Sequence, residues 1–195
     1  MIHNFSQSKL YENEQIKKAD KFYHDVLHVF DIKRFNYQLS EERKMQLHDI
    51  DLLLTYQNKS YKVSEKFRSK DFGDLYLEIY SKYPKVSGWL NEGISDYIMY
   101  FTPEKVYCID DLSLKKFYKE NLISLLPSFW FENLKTSDRN IISKKIYVNN
   151  IPYIISIIKA LNETSEGDNW ITMGITIPFN MLKINGVKFL KFSFQ

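Results

Sequence analysis

Residues 46–69 read QLHDIDLLLTYQNKSYKVSEKFRS, and this stretch decides the fold. Two apolar, β-rich runs, Met45 to Tyr56 and Ser60 to Phe67, lie either side of the polar triplet Gln57-Asn58-Lys59, which is the layout of a β-hairpin. Charged side chains interrupt both runs. Asp49 and Asp51 flank Ile50 ahead of Leu52-Leu53-Leu54, and Glu65-Lys66 follows Val63. Charge inside a sheet is costly unless it is paired or ligated, so these residues ask for a chemical reason.

Hairpin arithmetic brings them together. With Asn58-Lys59 as a two-residue turn, Asp51 opposes Lys66; with a three-residue turn from Gln57 to Lys59, Asp51 opposes Glu65. Directly opposed side chains have Cβ atoms about 5 Å apart. Two carboxylates at that range repel unless a divalent cation lies between them, and Mg²⁺, or Mn²⁺ in its place, prefers such oxygen ligands. A nearby lysine then positions a water or steadies a phosphate oxygen. An ordinary cross-strand ion-pair cluster is the competing explanation for Asp51, Glu65 and Lys66. For Asp49 alone, a solvated or turn-capping role is expected.

The pattern resembles the PD-(D/E)XK nuclease superfamily: an Asp on one strand, then an acid, any residue and Lys on the next. Asp51 matches the first acid and Lys66 the lysine. Gln46 before the acid, Trp89 after Gly88, and the strand start Ser95-Asp96-Tyr97 are similar to small phage and mobile-element members. The resemblance runs loosely from the N-terminal helix to about Asp110. It implies a restriction-endonuclease-like fold, Mg²⁺ held by the acids, a lysine-assisted water and hydrolysis of a DNA phosphodiester bond. One departure matters. Where the pattern wants an acid two residues before Lys66, this chain has Ser64, and Glu65 comes one place late, on the opposite face of an ideal strand. A β-bulge would restore Glu65, Glu78 in the following element would replace it, or the site has decayed into a binding surface.

Outside this stretch, Tyr11 to Phe30 carries apolar residues at three- and four-residue spacing, the period of one long helix. His24 and His28 lie four apart on it without a third metal ligand. Arg34 leads into a polar connection. Leu75 to Tyr80 forms a strand or a helix; Asp96 to Phe101 and Lys105 to Ile109 are strands about a turn at Thr102-Pro103-Glu104. Asp111 or Ser113 caps a helix through about Asn121. After Pro127 come Phe129-Trp130-Phe131, the β-branched runs Ile146 to Ile158 and Trp170 to Phe179, an Asn185-Gly186 turn and a last strand from Val187 to Phe194. The order predicts an α/β (α+β) domain: a mixed central sheet flanked by helices in residues 1–126, with a β-rich elaboration of the same domain in 127–195.

Composition sets outer bounds. A chain of 195 residues, 44% hydrophobic and 26% charged, suits one globular domain, and six Gly and five Pro exclude collagen-like or linker-like chains. No apolar run reaches the roughly 20 residues that span a bilayer, and the polar N-terminus lacks the apolar core of a signal peptide, so a soluble, cytoplasmic protein without a membrane partner is expected. The single Cys108 cannot form an internal disulfide and reads as a buried thiol. Abundant Lys, Ile, Asn and Tyr suggest AT-rich coding, as in a low-GC bacterium, a phage or another mobile element.

The net charge of +3 is small, but between Lys59 and Lys70 the chain carries Lys59, Lys62, Lys66, Arg68 and Lys70 against Glu65 alone. Cations beside a carboxylate cluster suit metal-assisted phosphate chemistry. Lys62, Arg68 and Lys70 are the candidate DNA contacts; Asp51, Glu65 and Lys66 the candidate catalytic set; Asp51, Glu65 and Glu78 the candidate metal ligands. Lys144-Lys145 offers further phosphate contacts, and Trp89, Trp130 and Trp170 could stack on bases, as in single-strand binders, but are expected mainly in the core. The function expected is Mg²⁺-dependent DNA endonuclease action, with a homodimer or larger complex as a plausible assembly. The alternative is a catalytically inactive protein of the same fold that binds nucleic acid or a protein partner, such as an inhibitor of host defence.

Overall fold

The computed structural model describes residues 2–35, 39–163 and 167–193. In chain order the first elements are β1 (Ile2–Asn4), α1 (Phe5–Asp25), β2 (Asp31–Arg34), α2 (Ser40–Leu47), β3 (Leu52–Tyr56), β4 (Lys59–Phe67) and β5 (Asp74–Lys82). There follow β6 (Val86–Ser87), α3 (Trp89–Glu92), β7 (Tyr97–Phe101), β8 (Lys105–Asp110) and α4 (Asp111–Phe117), which runs on as a π-helical turn over Tyr118–Leu122. The last third holds α5 (Ser128–Thr136), β9 (Ile141–Val148), β10 (Ile151–Glu163), β11 (Asn169–Pro178), α6 (Phe179–Ile184) and β12 (Phe189–Ser193). The α+β class expected from the sequence is what the chain forms. Its strands divide between two sheets in two compact units.

One unit, the hairpin unit, comprises Lys9–Phe72, Glu92–Leu112 and Lys188–Gln195. Its sheet has the order β12-β8-β7-β4-β3-β2, antiparallel except where β4 runs parallel to β7. A parallel neighbour needs a long crossover, and the chain between Phe67 and Tyr97 supplies one. Ala19, Phe22 and Tyr23, spaced three and four apart on α1, pack with Leu52, Leu54, Val63, Met99, Phe101 and Val106 of the sheet. Phe22 meets Phe101 and Phe192 edge-on at 5.8 and 5.5 Å between ring centroids, the geometry favoured by the ring quadrupoles.

The other unit comprises Met1–Ser8, Gly73–Asn91 and Ser113–Val187. Here β10 pairs with β11, which pairs with β5 and then β6; β9 and, in parallel, β1 lie on the other side of β10. Both segments 1–126 and 127–195 thus contribute strands to each sheet. Period-2 alternation buries Tyr153, Ile155 and Ile157 of β10, Met173, Ile175 and Ile177 of β11, and Leu75, Leu77 and Ile79 of β5, with β11 running between the other two strands. At a register shift in β11 a Cβ on Gly174 would stand 2.5 Å from the carbonyl oxygen of Leu77, so only glycine lets the two backbones approach.

Several boundaries differ from the sequence reading. Helix α1 ends at Asp25 instead of Phe30, and His28 lies beyond it at φ 53°. Met45 to Leu47 close α2 instead of opening a strand, because the Ser40–Leu47 segment is polar enough to remain helical with no buried residue. The run from Ile146 to Ile158 is broken by a tight turn at Asn149-Asn150, both at positive φ, into β9 and β10. Leu75 to Tyr80 resolves as part of a strand, β5, and Phe194, placed at the end of the last strand, lies outside the described residues.

Candidate functional site

The hairpin takes neither of the two registers expected. Its turn is Gln57-Asn58, at φ 48° and 60°, so Tyr56 pairs with Lys59 and Leu52 with Val63. Two successive positive φ angles give the turn whose twist matches that of the flanking strands. Asp51 lies just before the paired run and one residue off its register, its N–H donating to the carbonyl of Val63, the residue already paired with Leu52, at 2.9 Å. Its carboxylate Oδ2 then accepts the backbone N–H of Glu65 at 2.7 Å.

Strand β4 pairs with β3 and β7 without a register shift, so no bulge restores Glu65 to the face of Lys66. Lys62, Ser64 and Lys66 share one face. The Lys66 Nζ lies 2.5 Å from Asp49 Oδ1, and the Ser64 hydroxyl donates to Asp49 Oδ2 at 2.6 Å. Ser64, standing where an acid was looked for, is fully buried and serves to orient Asp49. Asp49 itself sits at φ 57°, a conformation that Asp tolerates better than most residues. Burial raises the Asp51 carboxyl above its ordinary range; the charge of Lys66 opposes that shift and the charge of Asp49 adds to it. One ammonium and two carboxylates therefore interact beside β4, and Asp51 also feels the charges of Arg34 and Glu65 from the α1 side.

Glu65 faces the α1 side. Its Oε1 accepts the Tyr23 hydroxyl at 2.8 Å and Arg34 Nη2 at 3.1 Å, and its Oε2 accepts Arg34 Nη1 at 2.5 Å. Arg34 also donates to Asp20 Oδ1 from Nη2 at 2.6 Å and from Nε at 3.0 Å. Burial raises the Glu65 carboxyl, with Arg34 and then Tyr23 working against the rise. Burial alone would lower Arg34, but hydrogen bonds and charge from Glu65 and Asp20 hold it protonated. This network was missed in the sequence. Its signal was the alternation Asp31-Ile32-Lys33-Arg34, which puts Arg34 on the core-facing side with Ile32, and Asp20 and Tyr23 three apart on one helix face.

The remaining candidates are placed as follows. Arg68 stacks its guanidinium over Phe72 at 5.5 Å, Lys70 is exposed in the loop after β4, and the Lys62 backbone N–H donates to Asp96 at 2.8 Å. Glu78 belongs to the other unit, in β5, opposite Gly174. Cys108 lines an apolar groove of about 400 Å³ with Leu54, Val63, Met99 and Leu190, and burial, then Asp110, pushes its thiol up to about 11. His24 Nδ1 meets the Val29 carbonyl at 3.2 Å.

Among the described residues no group of three His, Cys, Asp or Glu side chains surrounds a common point. A closed carboxylate cage is therefore not what this site offers. Mg²⁺, however, commonly takes one or two protein carboxylates and fills its octahedron with water and substrate phosphate. Both oxygens of Glu65 are engaged by Arg34 and Tyr23, and both of Asp49 by Lys66 and Ser64, so a metal shared by Asp49 and Asp51 would have to displace the exchangeable Lys66 ammonium, whereas one on Glu65 would have to break a buried network. Comparison of the chain with models of known families, with curated proteins and with solved structures gives no significant match. Among the described residues no helix is long and apolar enough to cross a membrane.

Proposed function

We propose that this chain is a metal-dependent phosphodiester hydrolase acting on DNA, with Asp49, Asp51 and Lys66 at its centre. The observation that carries the reading is the Lys66 ammonium against Asp49, with its charge also felt by the desolvated Asp51. Carboxylates whose charge is balanced by a lysine, in a partly buried site, are the arrangement that phosphate chemistry needs.

Asp49 and Asp51 would hold Mg²⁺, which when bound supplies a Lewis acid for a phosphate oxygen. Lys66 orients the attacking water and stabilises the charge that grows on the phosphate. The Glu65 N–H fixes the rotamer of Asp51, and Ser64 fixes that of Asp49. Water adds to phosphorus in line and releases a proton to the surrounding water, the bond from phosphorus to the leaving sugar oxygen breaks, and that oxygen takes up a proton from solvent. Lys62, on the face of Lys66 and about 13 Å along the strand, is spaced to meet a further backbone phosphate, as are Arg68 and Lys70 beyond the strand end. Glu65 acts through position, tying β4 to Arg34.

The decisive test is cleavage of supercoiled plasmid and of single-stranded DNA in Mg²⁺ or Mn²⁺ and in chelator. Metal-dependent cutting lost in Asp51→Asn and in Lys66→Ala supports the assignment; cutting that survives both variants overturns it. A second reading, a non-catalytic binding protein, is favoured by the Lys66–Asp49 ion pair itself, since it neutralises the groups a nuclease needs. Absence of cutting with retained DNA or protein binding would select that reading.

A further inference from the structure

We propose that the unit built on β5, β9, β10 and β11 carries a binding track for single-stranded nucleic acid. Three lysines in it rest over aromatic rings. Lys82 Nζ lies 5.2 Å from the ring centroid of Trp170, Lys135 Nζ 5.7 Å from Tyr83, and Lys144 Nζ 5.3 Å from Trp130. The sequence alone placed Trp130 and Trp170 in the core. In the fold both are partly exposed, and Phe129 beside Trp130 is 56% exposed.

Tyr80, Tyr83 and Phe131 form one ring cluster, and Trp170 and Trp130 are tied to it through the backbone and through α5. The Tyr83 N–H donates to the Ile171 carbonyl at 2.8 Å, which seats Tyr83 next to the strand that carries Trp170. Tyr83 stacks on Phe131 of α5 with an interplanar angle of 21°, and Tyr80 meets both rings edge-on. Helix α5 buries Phe131 and Leu134, leaving Lys135 on one flank beside Tyr83 and Trp130 on the other beneath Lys144. Glu132 accepts the Tyr83 hydroxyl at 2.5 Å, and Glu163, paired with Asn169 next to Trp170, is a further acidic side chain at that end.

Trp130 and Trp170, partly exposed and each with an ammonium near, offer a nucleotide both things it needs, a π-face for the base and a cation for the adjoining phosphate, while Tyr83, already stacked on Phe131, positions Lys135. Stacked duplex bases keep their faces hidden, so the fit is to an unpaired strand. No part of the track asks for base-specific hydrogen bonds, which predicts tolerance of sequence. DNA and RNA share this chemistry. The proposal narrows the substrate class of the hydrolase reading, yet stands without it, because binding here requires neither metal nor cleavage.

The test is a tryptophan-fluorescence titration of the full chain, in chelator, with oligothymidylate and oligouridylate of about fifteen nucleotides and with a duplex of equal length. Quenching by either single strand is expected, weaker for the duplex, with a log–log salt slope of about −2 from three lysines. Trp170→Ala, and Lys82→Gln with Lys135→Gln and Lys144→Gln together, should each weaken binding about tenfold. The lysine changes lie on the surface, so they decide the question if Trp170→Ala fails to fold. Binding that ignores the lysine changes, equal affinity for duplex, or no binding would overturn the track. Plasmid cleavage in Mg²⁺, run in parallel, separates the two proposals: cleavage without oligonucleotide binding in chelator sinks the track alone, and binding without cleavage sinks the hydrolase alone.

Discussion

The Lys66 ammonium sits 2.5 Å from the carboxylate of Asp49, a residue whose backbone is turned to φ 57°. A left-handed non-glycine residue stores conformational cost, and such residues gather at functional sites. Asn tolerates this backbone, and with its side-chain oxygen toward Lys66 Nζ its amide NH2 can donate to the Ser64 hydroxyl oxygen, so Asp49→Asn removes the charge while both neighbours keep a hydrogen bond. The variant's fold stability should fall by about 1 to 2 kcal/mol, since both side chains of the pair are only about one-fifth exposed and the change replaces a charge-assisted hydrogen bond by a neutral one. Its DNA cleavage should fall by at least about a hundredfold, the equivalent of nearly 3 kcal/mol of lost transition-state stabilisation. Urea unfolding beside a plasmid assay reads both; a cleavage loss no larger than the stability loss would make Asp49 a structural ion-pair partner only.

Asp51 makes a prediction of opposite sign to the usual carboxylate. Its folded-state value is raised, chiefly by burial, above the ordinary aspartate value of about 4. Between those values the folded chain keeps a proton that the unfolded chain has released, so this contribution to stability is full below about pH 4 and is lost as pH rises through the raised value. Asp51→Asn cannot ionise and its amide oxygen can still accept the Glu65 N–H. The variant should therefore gain stability relative to the parent as pH is raised from about 4 to 8. A variant that instead loses ground with rising pH would show that the Lys66 attraction outweighs desolvation.

Glu65 and Arg34 allow the buried network to be weighed. The Glu65 side chain is 3% exposed, so Arg34→Met leaves a nearly inaccessible carboxylate without its cation. The expected cost is about 3 kcal/mol, and adding Glu65→Gln should recover at least half of it, because the uncompensated charge is then gone. A double-mutant cycle by urea denaturation measures the coupling; additive losses would mean that Arg34 stabilises through its contact with Asp20.

How far the sequence led is clearest at β4. Alternation placed Ser64 and Lys66 on one face and Glu65 on the other, and that is how the strand lies, since pleating depends only on local geometry. The hairpin and the proximity of Asp51 to the Glu65-Lys66 segment were likewise legible. Asp49 as the partner of Lys66 was not, because its placement depends on a left-handed turn out of α2 that the polar segment before it does not announce. Arg34 was passed over because a strand of four residues gives too little alternation to stand out. The grouping of Trp130, Tyr83 and Trp170 was hidden for another reason: a ring's exposure depends on which element covers it, and composition assigns aromatic residues to the core by default.

The register offers the last prediction. The turn was read as Asn58-Lys59 or as a three-residue loop, whereas the chain turns at Gln57-Asn58, one place earlier. Asn suits a positive φ, but Gln57 holds its φ of 48° with a side chain whose hydrogen bond goes to the exposed Tyr56 hydroxyl at 3.1 Å and not to its own backbone. Lys59 is thereby freed to pair with Tyr56, which keeps Leu52, Leu54 and Val63 together on the core face. A slip by one residue would expose that set, so the core, and not the turn residues, fixes the register. Relieving the turn without moving the register should then be purely stabilising: Gln57→Asn with Asn58→Gly is expected to add about 1 kcal/mol to the unfolding free energy and leave cleavage unchanged. Thermal denaturation together with the plasmid assay checks both halves. A stabilised variant with altered cleavage would mean that the hairpin tip, some 20 Å of strand away from Asp51 by the rise per residue, takes part in substrate binding.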